Sequence, residues 1–125
     1  MKTFEQFINE SLEYSGLNTS WSDDDTTIYF KDVLKYLDDQ KVPIQTIDPK
    51  RIENLLIKTK RDPKRVEESD LQYPLIVSMV NGKYKSLLDG QHRLVKALKN
   101  NLDKVKVRVL DIDSAPEDYK KIFGE

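Results

Sequence analysis

Five consecutive residues carry most of the chemistry that this chain could perform: Asp89-Gly90-Gln91-His92-Arg93. Residues 83–88 read as a strand and Gln91 to Asn100 as a helix, so the five stand where a strand ends, a glycine breaks it and a helix begins. The first amides of a helix lack intrahelical acceptors and sit at the positive end of its dipole, a setting that suits an anion. On this reading Gly90 lets a ligand approach the backbone, Arg93 adds a forked cation matched to phosphate, and His92 adds a donor able to meet an anion or move a proton. Asp89 would bind Mg²⁺ on a nucleotide or take a proton from an attacking hydroxyl.

Each residue also has a plainer reading. At 100° per residue, His92, Lys96 and Lys99 share one helical face, Leu94, Ala97 and Leu98 lie roughly opposite, and Arg93 falls at the edge. The only histidine is therefore off the apolar stripe, which also describes a surface histidine beside two lysines. Aspartate before glycine at a strand end is an ordinary turn residue.

The elements that must hold this junction are legible nearby. Leu75 to Val80 reads as a strand, Asn81-Gly82 as a type I′ turn, and Lys83 to Leu88 as the returning strand. Lys104 to Leu110 alternates, with Val105, Val107 and Val109 on one face and Lys104, Lys106 and Arg108 on the other. Residues 84–110 thus form strand, glycine turn, helix and strand, a compact crossover unit. Upstream, Pro43 to Ile47 is a short strand, and Asp48-Pro49 starts a helix running to about Lys60, with proline where no N–H is needed. Arg61 to Tyr73 is polar and irregular, with a helical turn near Val66. Thr3 to Tyr14 is an amphipathic helix, Ser15 to Thr26 a linker, and Ile28 to Asp39 contains a second helix. Ser114 caps a last helix ending near Phe123.

Composition bounds the class. The 125 residues are 38% hydrophobic and 34% charged, enough for one folded domain with a single modest core. No apolar run is long enough to span a membrane, and the start carries no signal-peptide pattern. Without cysteine there is no disulfide, thiolate metal site or cysteine nucleophile. The formal net charge of −1 hides an asymmetry. Residues 1–25 hold six acids against Lys2, whereas residues 83–108 hold eight lysines and arginines against Asp89 and Asp103. The second region would attract a nucleotide or polyanion, while the overall balance gives no support for general DNA coating.

The run Tyr73-Pro74-Leu75-Ile76-Val77, the Asn81-Gly82 hairpin, Leu88-Asp89-Gly90-Gln91-His92-Arg93-Leu94 and Lys104-Val105-Lys106-Val107-Arg108-Val109 together resemble the ParB/sulfiredoxin superfamily. Gln72, Pro74 and Ala97 match further positions of its pattern. The string Asp-Gly-Gln-His-Arg also marks DGQHR-type domains, including proteins of DNA phosphorothioation systems. The likeness covers residues 43 to 113. It implies an α+β fold: a small mixed sheet with packed helices and a strand–Gly-turn–helix junction that binds phosphate. In sulfiredoxin-like and serine-kinase-like relatives the junction holds ATP or ADP, and in ParB it holds CTP. Asp48-Pro49-Lys50-Arg51-Ile52-Glu53-Asn54-Leu55 resembles a sulfiredoxin helix that contacts the nucleotide, which implies roles for Arg51, Asn54 and Lys58. Their spacing places them on one helical face, as it would for a merely solvated one.

Departures narrow the implication. Gln91 replaces the sulfiredoxin cysteine, which excludes sulfinic-acid reduction by that route. No helix-turn-helix region follows, and no set of carboxylates is arranged for two metals. Met1 to Glu10 resembles the capsid-targeting peptide of internal head proteins in T-even-like phages, with Ile8-Asn9-Glu10 as its cleavage site, although an ordinary amphipathic helix is the favoured account of these residues. The expected organisation is then residues 1–14 as N-terminal helix, 15–42 as linker and helix, and 43–125 as the domain, in the host cytoplasm or packaged in a phage head. The expected function is binding of a nucleoside di- or triphosphate with Mg²⁺, with phosphotransfer or NTP hydrolysis as its catalytic form. The alternatives are a non-enzymatic phage effector that binds a host protein on the same scaffold, and a nucleic-acid binder using Lys104, Lys106, Arg108 and the helix lysines.

Overall fold

A period-two pattern with apolar residues on both sides, as in Leu75-Ile76-Val77, requires a strand covered on both faces. The computed structural model describes residues 19–57 and 62–124 and builds its sheet around that strand. In chain order the elements are β1 (Ser20–Ser22), β2 (Thr27–Tyr29), α1 (Phe30–Asp39), β3 (Gln45–Ile47), a 3-10 helix (Pro49–Leu55), α2 (Pro63–Glu68), β4 (Leu75–Val80), β5 (Lys83–Asp89), α3 (Gln91–Lys99), β6 (Val105–Asp111), a 3-10 turn (Ile112–Ser114) and α4 (Glu117–Phe123). The main sheet has the order β3-β6-β4-β5. β4 and β5 form an antiparallel hairpin, β6 runs parallel to β4, and β3 pairs antiparallel to β6. The fold is a small α+β domain with a mixed sheet.

Local chemistry explains the junctions. Asn81 and Gly82 both take positive φ, 53° and 75°, as a type I′ turn requires. Asp48 accepts a hydrogen bond from the Lys50 amide at 2.9 Å ahead of Pro49, and Asp62 repeats the device with Lys64 ahead of Pro63. The second Asp-Pro pair therefore starts α2, which extends the helical turn expected near Val66 to Pro63–Glu68.

On one face of the sheet, Leu75, Val77, Leu87, Val105 and Val107 pack against Leu94 and Ala97 of α3 and Ile52 of the 3-10 helix. On the other, Ile76, Leu88 and Leu110 pack against Val33, Leu34 and Leu37 of α1 and Tyr119 and Phe123 of α4. Residues 28–37, which the sequence reading set apart from residues 43–125, therefore share a core cluster with the sheet. The β1–β2 hairpin, where a linker was expected, carries Trp21, edge-on to Phe123 with ring centroids 5.3 Å apart. Without this layer one sheet face would lie open, at a cost of about 25 cal/mol per Å² of apolar area.

Two further expectations change. The element after Asp48 is a 3-10 helix ending at Leu55, and Leu56 is extended. Ser114 caps no helix: it lies in the 3-10 turn and donates to Asp111 Oδ2 at 2.9 Å, while α4 begins after Pro116. The expected helix over residues 1–14, its Glu10 cleavage site and Lys58 lie outside the described residues.

Candidate functional site

The junction folds as the sequence indicated. β5 ends at Asp89, Gly90 is the N-cap of α3 with φ 105° and ψ 22°, and the Leu94 amide donates to the Gly90 carbonyl at 2.8 Å. A pocket of about 110 Å³ lies there, lined by Ser69, Leu88 and all five motif residues. Sites for whole small-molecule ligands run to roughly 300–1,000 Å³, so this pocket is smaller than those.

What the motif side chains do inside the pocket differs from expectation. Arg93 turns inward, only 4% exposed. Its Nη2 forms an ion pair with Asp89 Oδ2 at 2.5 Å, and its Nη1 donates to the Pro74 carbonyl at 2.9 Å. The guanidinium is thus tied across the chain, bonding the end of β5 and the entry to β4, rather than standing ready as a phosphate fork. Asp89 is correspondingly withdrawn, its side chain fully shielded from solvent. A carboxylate buried against a guanidinium is placed neither to hold Mg²⁺ nor to act as a general base. Among the described residues no group of three His, Asp or Glu side chains could hold a metal ion. The residues present do not fit the expected Mg²⁺ at Asp89.

Gly90 is also accounted for by packing. A Cβ built on it would stand 2.2 Å from Leu75 Cδ2, inside the core and not in the path of a ligand. The positive φ adds a second, independent demand for glycine. Gln91 Oε1 accepts from the Ile57 amide at 3.1 Å, binding the chain after the 3-10 helix to the start of α3. His92 is half-buried and keeps its place in the pocket lining.

The helix lysines separate. Lys96 does not face open solvent: its ammonium donates to the Glu67 and Ser69 carbonyls at 2.8 and 2.7 Å, where α2 ends and its carbonyls lack partners. Ser69, buried and donating from Oγ to the Val66 carbonyl at 2.6 Å, becomes a pocket residue through that contact. Nothing at position 69 announces this role; the helical turn expected near Val66 was the sequence trace of the helix that delivers it. Lys99 is exposed.

Arg51 and Asn54 are exposed and fall on one face of the 3-10 helix, where residues three apart eclipse, yet neither lines the pocket. Arg51 lies over the Tyr84 ring, 5.2 Å from its centroid. Because the helix stops at Leu55, helical spacing cannot carry the face on to residue 58. On the opposite sheet face, Arg108 is half-buried, with Nε and Nη2 donating to the Val42 carbonyl at 3.2 and 2.9 Å. Burial lowers its pKa, partly offset by Asp38. It is therefore spent inside the molecule, which leaves Lys99, Lys104 and Lys106 as the exposed cations among those suggested for nucleic acid. No described helix is long and apolar enough to cross a membrane.

Comparisons with protein-family models, curated proteins and solved structures gave no match.

Proposed function

We propose that this domain binds the phosphate end of a nucleotide of the ATP, ADP or CTP kind, at the start of α3, as a ParB/sulfiredoxin-like module. The observation that supports the reading is the coincidence of a phosphate-sized pocket with the first turn of α3, at the motif that suggested it. Binding there rests on the helix amides and dipole, with His92 at the rim, rather than on Arg93. Base and sugar would lie outside the pocket, with Arg51 and Asn54 of the exposed 3-10 helix face as the proposed contacts. The reading is of binding: Asp89 is not placed for the phosphotransfer or hydrolysis that its carboxylate suggested.

Thermal-shift titration with ATP, ADP, CTP and GTP tests it. A concentration-dependent rise in Tm is expected, reduced in His92→Ala. No rise at millimolar concentration for any of the four would refute it.

One observation favours a second reading. Asp89, Gly90, Gln91 and Arg93 each have a structural duty that needs no ligand. The motif could then persist as a joint, in a non-enzymatic protein that acts by binding another protein on the same scaffold. Partner capture that survives His92→Ala, from a protein that ignores nucleotides, would support it.

A further inference from the structure

A buried ion pair borders the pocket. Asp89 and Arg93 both line it, and the carboxylate already occupies the guanidinium that would be the strongest phosphate ligand there. An incoming phosphate has two options. It can leave the pair intact and use the α3 amides alone, or it can take Arg93 and strand Asp89 as a buried, unpaired charge. Stranding a buried charge costs more than an ordinary hydrogen bond returns. The pair is held on the far side as well, because the Pro74 carbonyl fixes the other guanidinium nitrogen. Arg93 therefore cannot swing to a ligand without abandoning two partners.

We infer that Asp89 is a resident competitor for phosphate, an internal counter-ion that withholds Arg93 and sets how tightly the pocket holds an anion. The inference rests on the phosphate-binding reading above and adds an affinity-limiting residue to it. Asp89→Asn is the direct perturbation. The amide can still accept from Arg93, so the joint keeps a hydrogen bond, while the guanidinium loses its balancing charge.

The experiment measures Kd for inorganic phosphate and pyrophosphate by calorimetry, and Tm against their concentration, for wild type, Asp89→Asn and Asp89→Asn/Arg93→Met. Asp89→Asn should melt lower without ligand, bind pyrophosphate about tenfold tighter than wild type, and recover stability as pyrophosphate is added. The double variant should lose that gain. A wild type that binds while Asp89→Asn binds no more tightly overturns the inference and leaves the phosphate reading standing. A gain that persists without Arg93 overturns it too. Absence of binding in wild type and variants alike removes both. If Asp89→Asn is too weakly folded for calorimetry, Asp89→Ser removes the same charge, and failure of pyrophosphate to raise the Tm of either variant counts against the inference.

Discussion

Replacing Arg93 with methionine separates an internal joint from an exposed ligand most directly. The side chains of Arg93 and Asp89 are 5% and 0% exposed and share a 2.5 Å contact. Removing the guanidinium leaves a carboxylate in the core beside Leu88 and removes the donor to Pro74. Breaking a buried pair from one side costs about 3–5 kcal/mol, a large part of the roughly 5–15 kcal/mol that a domain possesses. The matched double variant, Asp89→Leu with Arg93→Met, removes both charges and fills the space with apolar atoms. Its expected cost is only about 1–2 kcal/mol, chiefly the unmet Pro74 carbonyl. Asp89→Leu alone strands the guanidinium in the same way, so the two singles together should exceed the double variant by well over the roughly 0.5 kcal/mol within which independent sites add. Urea unfolding supplies the assay. Trp21 is the only tryptophan and packs on the opposite sheet face against Phe30 and Phe123, so its fluorescence reports loss of the whole fold rather than a local opening. Circular dichroism follows the helices in parallel. An Arg93→Met cost below about 0.5 kcal/mol, the range of ordinary surface changes, would refute the account. So would a double variant as unstable as the sum of the singles.

Gly90→Ala should be among the most damaging small changes, at about 2–5 kcal/mol, because the left-handed backbone strains and the new methyl meets Leu75. Gly82→Ala, where a Cβ meets nothing within 4 Å, should cost only the conformational share, about 1–2 kcal/mol; equal urea midpoints for the two would contradict this. Lys96→Met should lower stability by about 1–3 kcal/mol and speed amide exchange around residues 66–70, since the end of α2 loses its cation; unchanged exchange there would be the contrary result. The Tyr119 phenol is pushed up to about 12, first by burial and then by Asp32 and Asp118. The folded state then keeps a proton that the unfolded chain releases above its ordinary value of 10.0, so the contribution to stability is complete below pH 10 and declines towards pH 12. Tyr119→Phe should flatten that alkaline decline, as read by Tm against pH, and an unaltered profile would disprove the assignment.

Local rules carried much of the fold. The Asn81-Gly82 turn, the Asp48-Pro49 start and the glycine stop at position 90 each depend on the φ preferences and hydrogen bonds of a few neighbouring residues, so they were visible without any partner. Alternation in 105–109 likewise showed which side of β6 is buried against α3. It could not show that α1 and α4 cover part of the other side, because the apolar stripe of residues 30–37 says only that the helix packs and not upon what.

At the junction the division is sharper. The motif, its backbone path and the place of a pocket followed from residue types in order. The direction of Arg93 did not. Asp89 lies in a strand and Arg93 in a helix, so their separation by four residues is no helical ion-pair rule; only the bend at Gly90 brings them together. Whether a guanidinium faces water or a carboxylate depends on which surfaces are desolvated by elements distant in sequence, here Pro74 and the α2 segment that ends at Ser69. The same holds for Gly90, whose missing side chain matters because Leu75 occupies the space. Backbone course is encoded within short stretches of chain, whereas the partner of a buried charge is settled only when the layers close around it.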